Sequence, residues 1–322
     1  MISVKRFGDV GEIKKVNVGL VGFFQSYFYL KSFSDSFCDE DDLVVLGVWD
    51  DKEVVGYGVF EKVEDGVVLL GMKKVLGGEE VSDYGDVVIE GDERVWRAGW
   101  ERILEWFRGN GFCEVVINNL REDSVSYQVF KGGVVGMEID LDVCELAPYI
   151  DLQKNWDNYL NFLERKKRKE IRRKIRRLEE VNSFSSCSEK TARSDFEEFI
   201  LLHRLSDTNK KKFMTERMKE FFWKLIEVEK PEWEVSICFL SVEGKRVASL
   251  LSFENETEIL LYNSGYDPKY DYYSVGFLLV AFKIKRAIEE GKKVFDFMRG
   301  EERYKYDLGG KDKKLYRVEI RL

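Results

Sequence analysis

Between Tyr262 and Lys305 the sequence passes through strand, loop, helix and strand with punctuation at every border. Ile259 to Tyr262 ends a β-branched and aromatic run, and Gly265, Asp267 and Pro268 interrupt it. Ser274 stands where a helix N-cap belongs, Gly276 follows, and an apolar-periodic stretch runs to Gly291 with Lys292 and Lys293 beside it. Those residues predict a helix from Ser274 to Glu290, because serine caps free N–H groups while glycine and cations suit a C-terminus. Val294 to Met298 reads as a short buried strand. A helix that opens directly after such a loop presents free backbone N–H groups at its positive end, a place that suits an anion. The loop contains neither GxxxxGK(S/T) nor GxGxxG, so it is not one of the standard nucleotide loops.

Composition removes several function classes. The 322 residues suffice for one large or two medium domains. With 52 Lys and Arg against 60 Asp and Glu the net charge is −8, which excludes nucleic-acid binding by bulk charge. His203 is the single histidine, so a zinc site or a Ser-His-Asp or Cys-His mechanism has little to work with, and no metal is expected. The five cysteines, Cys38, Cys113, Cys144, Cys187 and Cys238, form no CxxC and read as reduced core residues. The first residues do not resemble a signal peptide, and no apolar run approaches membrane-spanning length. A soluble, cytoplasmic protein is expected.

Along the chain, Leu20 to Phe37 reads as an aromatic-rich helix, and Leu43 to Trp49 with Val54 to Lys62 as a hairpin. Val67 to Val75 and Val87 to Glu90 are further strands, separated by the loop Ser82 to Asp86. Asp92 to Asn110 predicts an amphipathic helix, Val115 to Asn118 a strand, Asp123 to Lys131 a helix and Val134 to Cys144 a strand. From Asp151 to Glu180 the character changes. Tyr159, Phe162, Leu163, Ile171, Ile175 and Leu178 keep a helical stripe inside the run ERKKRKEIRRKIRRLEE. That helix is either a solvated bridge between domains or a local positive field for an RNA backbone, a nucleotide-sugar pyrophosphate or an anionic lipid. After it the element order repeats: helices Ser194 to Asp207 and Phe213 to Val228, then strands Val235 to Val242, Val247 to Glu254 and Thr257 to Tyr262, the helix and strand already described, and a final strand Leu315 to Ile320. Two halves in one order suggest a duplicated α/β fold. The expected domains are 1–150 and 182–322, with 151–181 as a basic linker helix.

Particular residues carry a family resemblance over almost the whole chain. Tyr266-Asp267-Pro268, Ser274-x-Gly276, Asp296-Phe297, Gly300-Glu301 and Tyr304-Lys305, with Ser82-Asp83-Tyr84 earlier and Arg168-x-x-x-Arg172-Arg173 between, resemble the CelD/BcsL-type acetyltransferases of the GNAT superfamily, relatives of the FemAB aminoacyltransferases. The resemblance implies an α/β (α+β) chain of two tandem GNAT-like domains, each a mixed, mostly antiparallel sheet flanked by helices. It implies transfer of an acyl group, from acyl-CoA (acetyl-CoA) or from aminoacyl-tRNA in the FemAB branch, to an amine or hydroxyl of a small molecule, a polysaccharide or an envelope precursor. One departure concerns the donor: the usual Q/R-x-x-G-x-G/A loop is replaced by Asp271 to Gly276, which has one glycine and no basic residue. A non-catalytic binding module on the same scaffold is the alternative from another class. Oligomeric state is left open.

Acyl transfer needs a base, an in-line donor and stabilisation of an oxyanion. Asp83 and Glu301 are the candidate bases. Tyr304 is the candidate proton donor to the leaving group, and Lys305 the candidate partner of a phosphate or the oxyanion. Backbone N–H groups around Ser274, Val275, Gly276 and Phe277 are the candidate donor-phosphate site. Tyr84, Arg168, Arg172, Tyr266 and Asp296 are the candidate substrate contacts, although Asp296 could equally anchor Lys305 or Arg299.

Overall fold

The computed structural model describes residues 1–19, 21–73, 80–188, 191–228 and 232–322. Leu20 and residues 74–75, the ends of two expected elements, lie outside the described residues. The chain divides into two units: Met1–Leu146 with Lys313–Leu322, and Ala147–Asp312. In chain order the first brings β1 (Ile2–Arg6), α1 (Tyr27–Phe37), β2 (Leu43–Asp50), β3 (Glu53–Val63), β4 (Gly66–Leu69), β5 (Val88–Ile89), α2 (Glu93–Gly109), β6 (Glu114–Arg121), α3 (Val125–Lys131) and most of β7 (Glu138–Asp151). The second brings α4 (Trp156–Phe162), α5 (Arg165–Glu179), β8 (Ser183–Cys187), α6 (Arg193–Ser206), α7 (Thr208–Phe213), α8 (Glu216–Ile226), β9 (Glu234–Val242), β10 (Lys245–Glu254), β11 (Glu258–Tyr266), α9 (Val275–Glu289), β12 (Val294–Asp296) and α10 (Arg303–Asp307). Strand β13 (Lys311–Arg321) ends the chain and lies mostly in the first unit.

In the first unit the strands run β1-β2-β3-β4-β6-β13-β7. The β1–β2, β2–β3, β3–β4 and β6–β13 pairs are antiparallel, whereas in β4 and β6 Gly66 to Val68 pair in parallel with Glu114 to Val116. A parallel pair requires a crossover, and α2 supplies it. Asp92 caps α2 by accepting the Val95 N–H at 3.0 Å, and its Trp100, Ile103, Leu104 and Phe107 are buried against Val44, Phe60 and Ile117. The expected strand Val67 to Val75 is shorter, ending at Leu69, because Gly71 turns the chain at φ +82°.

The second unit uses the same device. Its strands run from the end of β7 through β12-β11-β10-β9-β8, antiparallel apart from β11 and β12, whose crossover is α9. Glu243 and Gly244, at φ 51° and 79°, form the tight β9–β10 turn that right-twisted strands prefer. Helix α9 is apolar on most sides and buries Val275, Leu278, Leu279, Ala281, Ile284 and Ile288. Lys283 on the same helix is buried and paired with Glu254 at 2.6 Å. The basic helix α5, expected as a linker, packs Ile171 and Leu178 into this unit's core.

Three local expectations are corrected. Gly265 does not end β11; it lies inside the strand, where any Cβ would come within 2.3 Å of the His203 backbone, so glycine here permits close passage of α6. The cysteines are not five reduced core residues. The β8–β9 register sets Cys187 opposite Cys238, and the two are disulfide-bonded, while Cys113 and Cys144 are exposed. A separation of 51 residues hides that pairing from any local pattern. Finally, the expected strand Val134 to Cys144 begins only at Glu138 and runs on to Asp151 as β7.

Candidate functional site

Strands β11 and β12 stay together for three residues, Glu258 to Leu260 beside Val294 to Asp296. Beyond that β12 ends, while β11 continues to Tyr266 held on its other side by β10. The register on β10 slips between Leu251 and Ser252, which leaves Tyr262 as a bulge in β11. A bulge bends its strand and increases its twist, so the parting of the two strands is built into the backbone. The edge of β11 past Leu260 therefore has no β12 residue beside it.

The N-terminus of α9 follows this edge after a 3-10 turn, Pro268–Tyr273. Ser274 does not cap it as expected. Its backbone is left-handed at φ 55°, ψ 41°, and its side chain accepts no N–H from the first turn. Its hydroxyl instead accepts a hydrogen bond from Lys174 Nζ at 2.6 Å. Lys174 also lies 5.1 Å from the centre of the Phe277 ring. One turn further along α5, Arg177 donates to the Tyr272 carbonyl at 2.6 Å and stacks on the Tyr272 ring. No acidic residue occupies the first turn of α9, whose N–H groups on Val275, Gly276 and Phe277 lie beyond the reach of intrahelical acceptors. Gly276 lets this turn rest on Tyr266, whose ring would lie 3.2 Å from an added Cβ. Lys174 and Arg177 therefore supply, from another helix, the positive charge that the loop itself lacks. The sequence reading missed both. The apolar stripe Ile171, Ile175 and Leu178 is the signal, since it turns Lys174 toward the packed side of α5.

The turn after β12 is held from two directions. Asp296 is buried, and its Oδ1 accepts the Met298 N–H at 2.7 Å. Lys305, 2% exposed, donates to the carbonyls of Met298 at 3.3 Å, Arg299 at 2.5 Å and Gly300 at 3.1 Å, and pairs with Glu302 at 2.9 Å. Met298 has a left-handed φ of 59°, a strained value that such bonds maintain, while Gly300 adopts its φ of 105° freely. The Lys305 ammonium is thus already engaged by the turn. Tyr304 packs edge-on against Phe297. Burial, with a smaller effect of Glu302, raises its phenol well above the ordinary value, so it stays protonated at neutral pH. Glu301 is exposed beside this turn. Burial and an interaction with Asp271 likewise raise the Tyr266 phenol. Asp267 would be raised by burial, but the Lys269 N–H and the Lys245 ammonium hold it below the usual carboxylate range.

The remaining predicted residues have other neighbours. Arg168 donates to the Asn161 carbonyl at 3.2 Å, and Arg172 is exposed on the outer side of α5. Asp83 and Tyr84 belong to the first unit. Tyr84 is buried against Phe24, and its carbonyl accepts from Gln25 Nε2 at 2.9 Å. In that unit it is β6, not β4, that continues past the parallel pair. The Gly85 N–H bonds to the Asn119 carbonyl of β6 at 3.2 Å, and the helix that follows is capped by Asp92 with Glu93 in its first turn.

Residues 165–306 match the family model described as "Acetyltransferase (GNAT) domain". The chain has the GNAT fold. FemX superposes with a TM-score of 0.66 at 12% identity, over 96% of this chain and 94% of that one. L-PGS from Bacillus licheniformis gives 0.56 at 13%, over 93% of each chain. A tandem GNAT protein from the clavulanic acid biosynthesis pathway gives 0.50 at 9%, over 99% of this chain and 98% of that one. No curated protein matches the sequence. Among the described residues no helix is long and apolar enough to cross a membrane, and no group of three His, Cys, Asp or Glu could hold a metal ion.

Proposed function

We propose that the second GNAT unit transfers an acyl group from acyl-CoA to an amine or hydroxyl acceptor. The observation that carries this reading is the uncapped, acid-free start of α9 beside a parted strand edge, with Lys174 and Arg177 against it. A helix start of this kind favours phosphate oxygens, and a lysine and an arginine add the charge that a diphosphate requires. The acyl arm of the donor would lie along β11 past Leu260, beyond its last β12 partner, where a backbone N–H directed at the thioester carbonyl would polarise it. Tyr304 is the proposed proton donor to the leaving thiolate, and Glu301 the proposed base toward the acceptor. Asp296 and Lys305 would act by holding the turn between them.

The same reasoning limits the chain to one donor. The first unit's equivalent helix start carries Asp92 and Glu93, which repel phosphate, and its strand before the crossover, β4, ends at Leu69 and offers no continuing edge.

Calorimetric titration with coenzyme A tests the reading. One molecule should bind per chain, and Lys174→Glu should weaken binding on the order of a hundredfold, through loss of one charged contact and gain of repulsion. Two molecules per chain would remove the one-donor argument. Silence toward coenzyme A with binding of charged tRNA would move the donor to the aminoacyl-tRNA class. Silence toward both would leave a binding module.

A further inference from the structure

Helix α5 carries charge in an arrangement that is unfavourable in water alone. Its first turn is Arg165, Lys166 and Lys167 with no acidic residue, so cations sit at the positive end of the helix dipole, and Glu164 makes no side-chain cap. Arg165, Lys169, Arg172 and Arg176 follow at intervals of four, three and four residues, which places like charges next to one another along one side. None of these four makes an ion pair among the described residues, although the chain as a whole has an excess of acid.

The direction of the row follows from the helix. At about 100° per residue the four side chains fall within a narrow arc, and Ile171 and Leu178, the buried residues of α5, fall on the opposite side. The row therefore points straight out to solvent, and at about 1.5 Å per residue it is about 16 Å long. Three residues before Arg165, at the end of the preceding helix α4, Phe162 is 64% exposed.

We propose that the outer face of α5 docks the protein on an anionic lipid surface, with the cation row against the headgroups and Phe162 entering the interfacial layer. A flat anionic surface relieves both the repulsion along the row and the cations at the helix start, and it accommodates an aromatic side chain beside them. A ribophosphate strand would meet the charges, but a single convex row offers it no groove to follow. This docking is independent of the donor site, since Lys174 and Arg177 face the α9 loop.

Co-sedimentation with vesicles tests it, using phosphatidylcholine alone and phosphatidylcholine with about a third phosphatidylglycerol. The full chain should partition onto the anionic vesicles only, and less as salt is raised. Neutralising Arg165, Lys169, Arg172 and Arg176 to Gln should lower the partition coefficient about fivefold per residue, and Phe162→Ala by about tenfold. Neutralising Lys15, Lys52, Lys212 and Lys285 instead, with the same change in net charge, should leave it unaltered. Far-ultraviolet circular dichroism of each variant distinguishes lost docking from lost folding. Absence of partition, equal partition of the two quadruple variants, or binding to polyuridylate that depends on the row while vesicles are ignored would each overturn the proposal.

Discussion

Lys305→Met tests whether this lysine is a ligand for the donor or a prop for the turn. Methionine keeps most of the stem volume and removes the ammonium. In the structure that ammonium donates to three carbonyls and pairs with Glu302. Glu302 is largely exposed, so its share is under about 1 kcal/mol. The Arg299 and Gly300 carbonyls are half-buried and can take up water, but Met298 is buried and its carbonyl would lose its ammonium donor. A charge-assisted bond is worth about 1.5–3 kcal/mol, and an orphaned buried acceptor costs about 1–3 kcal/mol. Allowing for hydration of two carbonyls and relief of the buried charge, the net loss is about 2–4 kcal/mol. For a unit of this size that lowers Tm by roughly 4–16 °C. Differential scanning calorimetry with and without coenzyme A is the assay. A variant that melts with the wild type yet binds coenzyme A much more weakly would refute the argument and return Lys305 to the role of phosphate ligand.

Other substitutions probe separate parts of the structure. Burial raises Asp86 from 3.8 to about 6 despite hydrogen bonds from Ser126, the Val87 N–H and Ser124 and the nearby charge of Arg121. Between those values the folded chain holds a proton that the unfolded chain has released, so its contribution falls as pH rises through about 4 to 6 and is flat above. Asp86→Asn should remove that slope and stabilise the protein near pH 7 by up to about 3 kcal/mol, seen as a higher urea midpoint; an unchanged slope would count against it. Gly265→Ala should cost more than about 3 kcal/mol, because backbone rather than a movable side chain occupies the space; soluble expression with a wild-type Tm would contradict this. Reducing the Cys187–Cys238 bond, or replacing both residues by Ser, should cost about 4 kcal/mol for a closed loop of this length. Thiol counting and denaturant unfolding, each with and without reductant, would check it.

Much of the architecture was legible because it rests on local signals. The periodicity of Val95 to Phe107 and the cap at Asp92 define α2, and Glu243-Gly244 defines a hairpin. The crossover helix from residue 275 is legible for the same reason, as is the existence of a helix across the basic run. Ser274 shows where such reading stops. Serine before an apolar helix ordinarily caps it, but here its hydroxyl is engaged by a lysine a hundred residues earlier and its backbone is left-handed. Lys305 is a similar case: its place beside the candidate site is legible, but the three carbonyls around its ammonium are not.

By itself the sequence determined the type and order of most elements and the repeat of that order. It also determined that the α9 helix opens directly after a loop. Each depends on side-chain spacing within a turn or two of backbone. Only the tertiary structure decided the bulge at Tyr262, the Cys187–Cys238 pairing and the approach of Lys174 and Arg177 to the α9 loop. It also decided the membership of the basic helix in the second unit. Those features depend on register between strands and on packing between helices far apart in the chain, which short-range patterns do not encode.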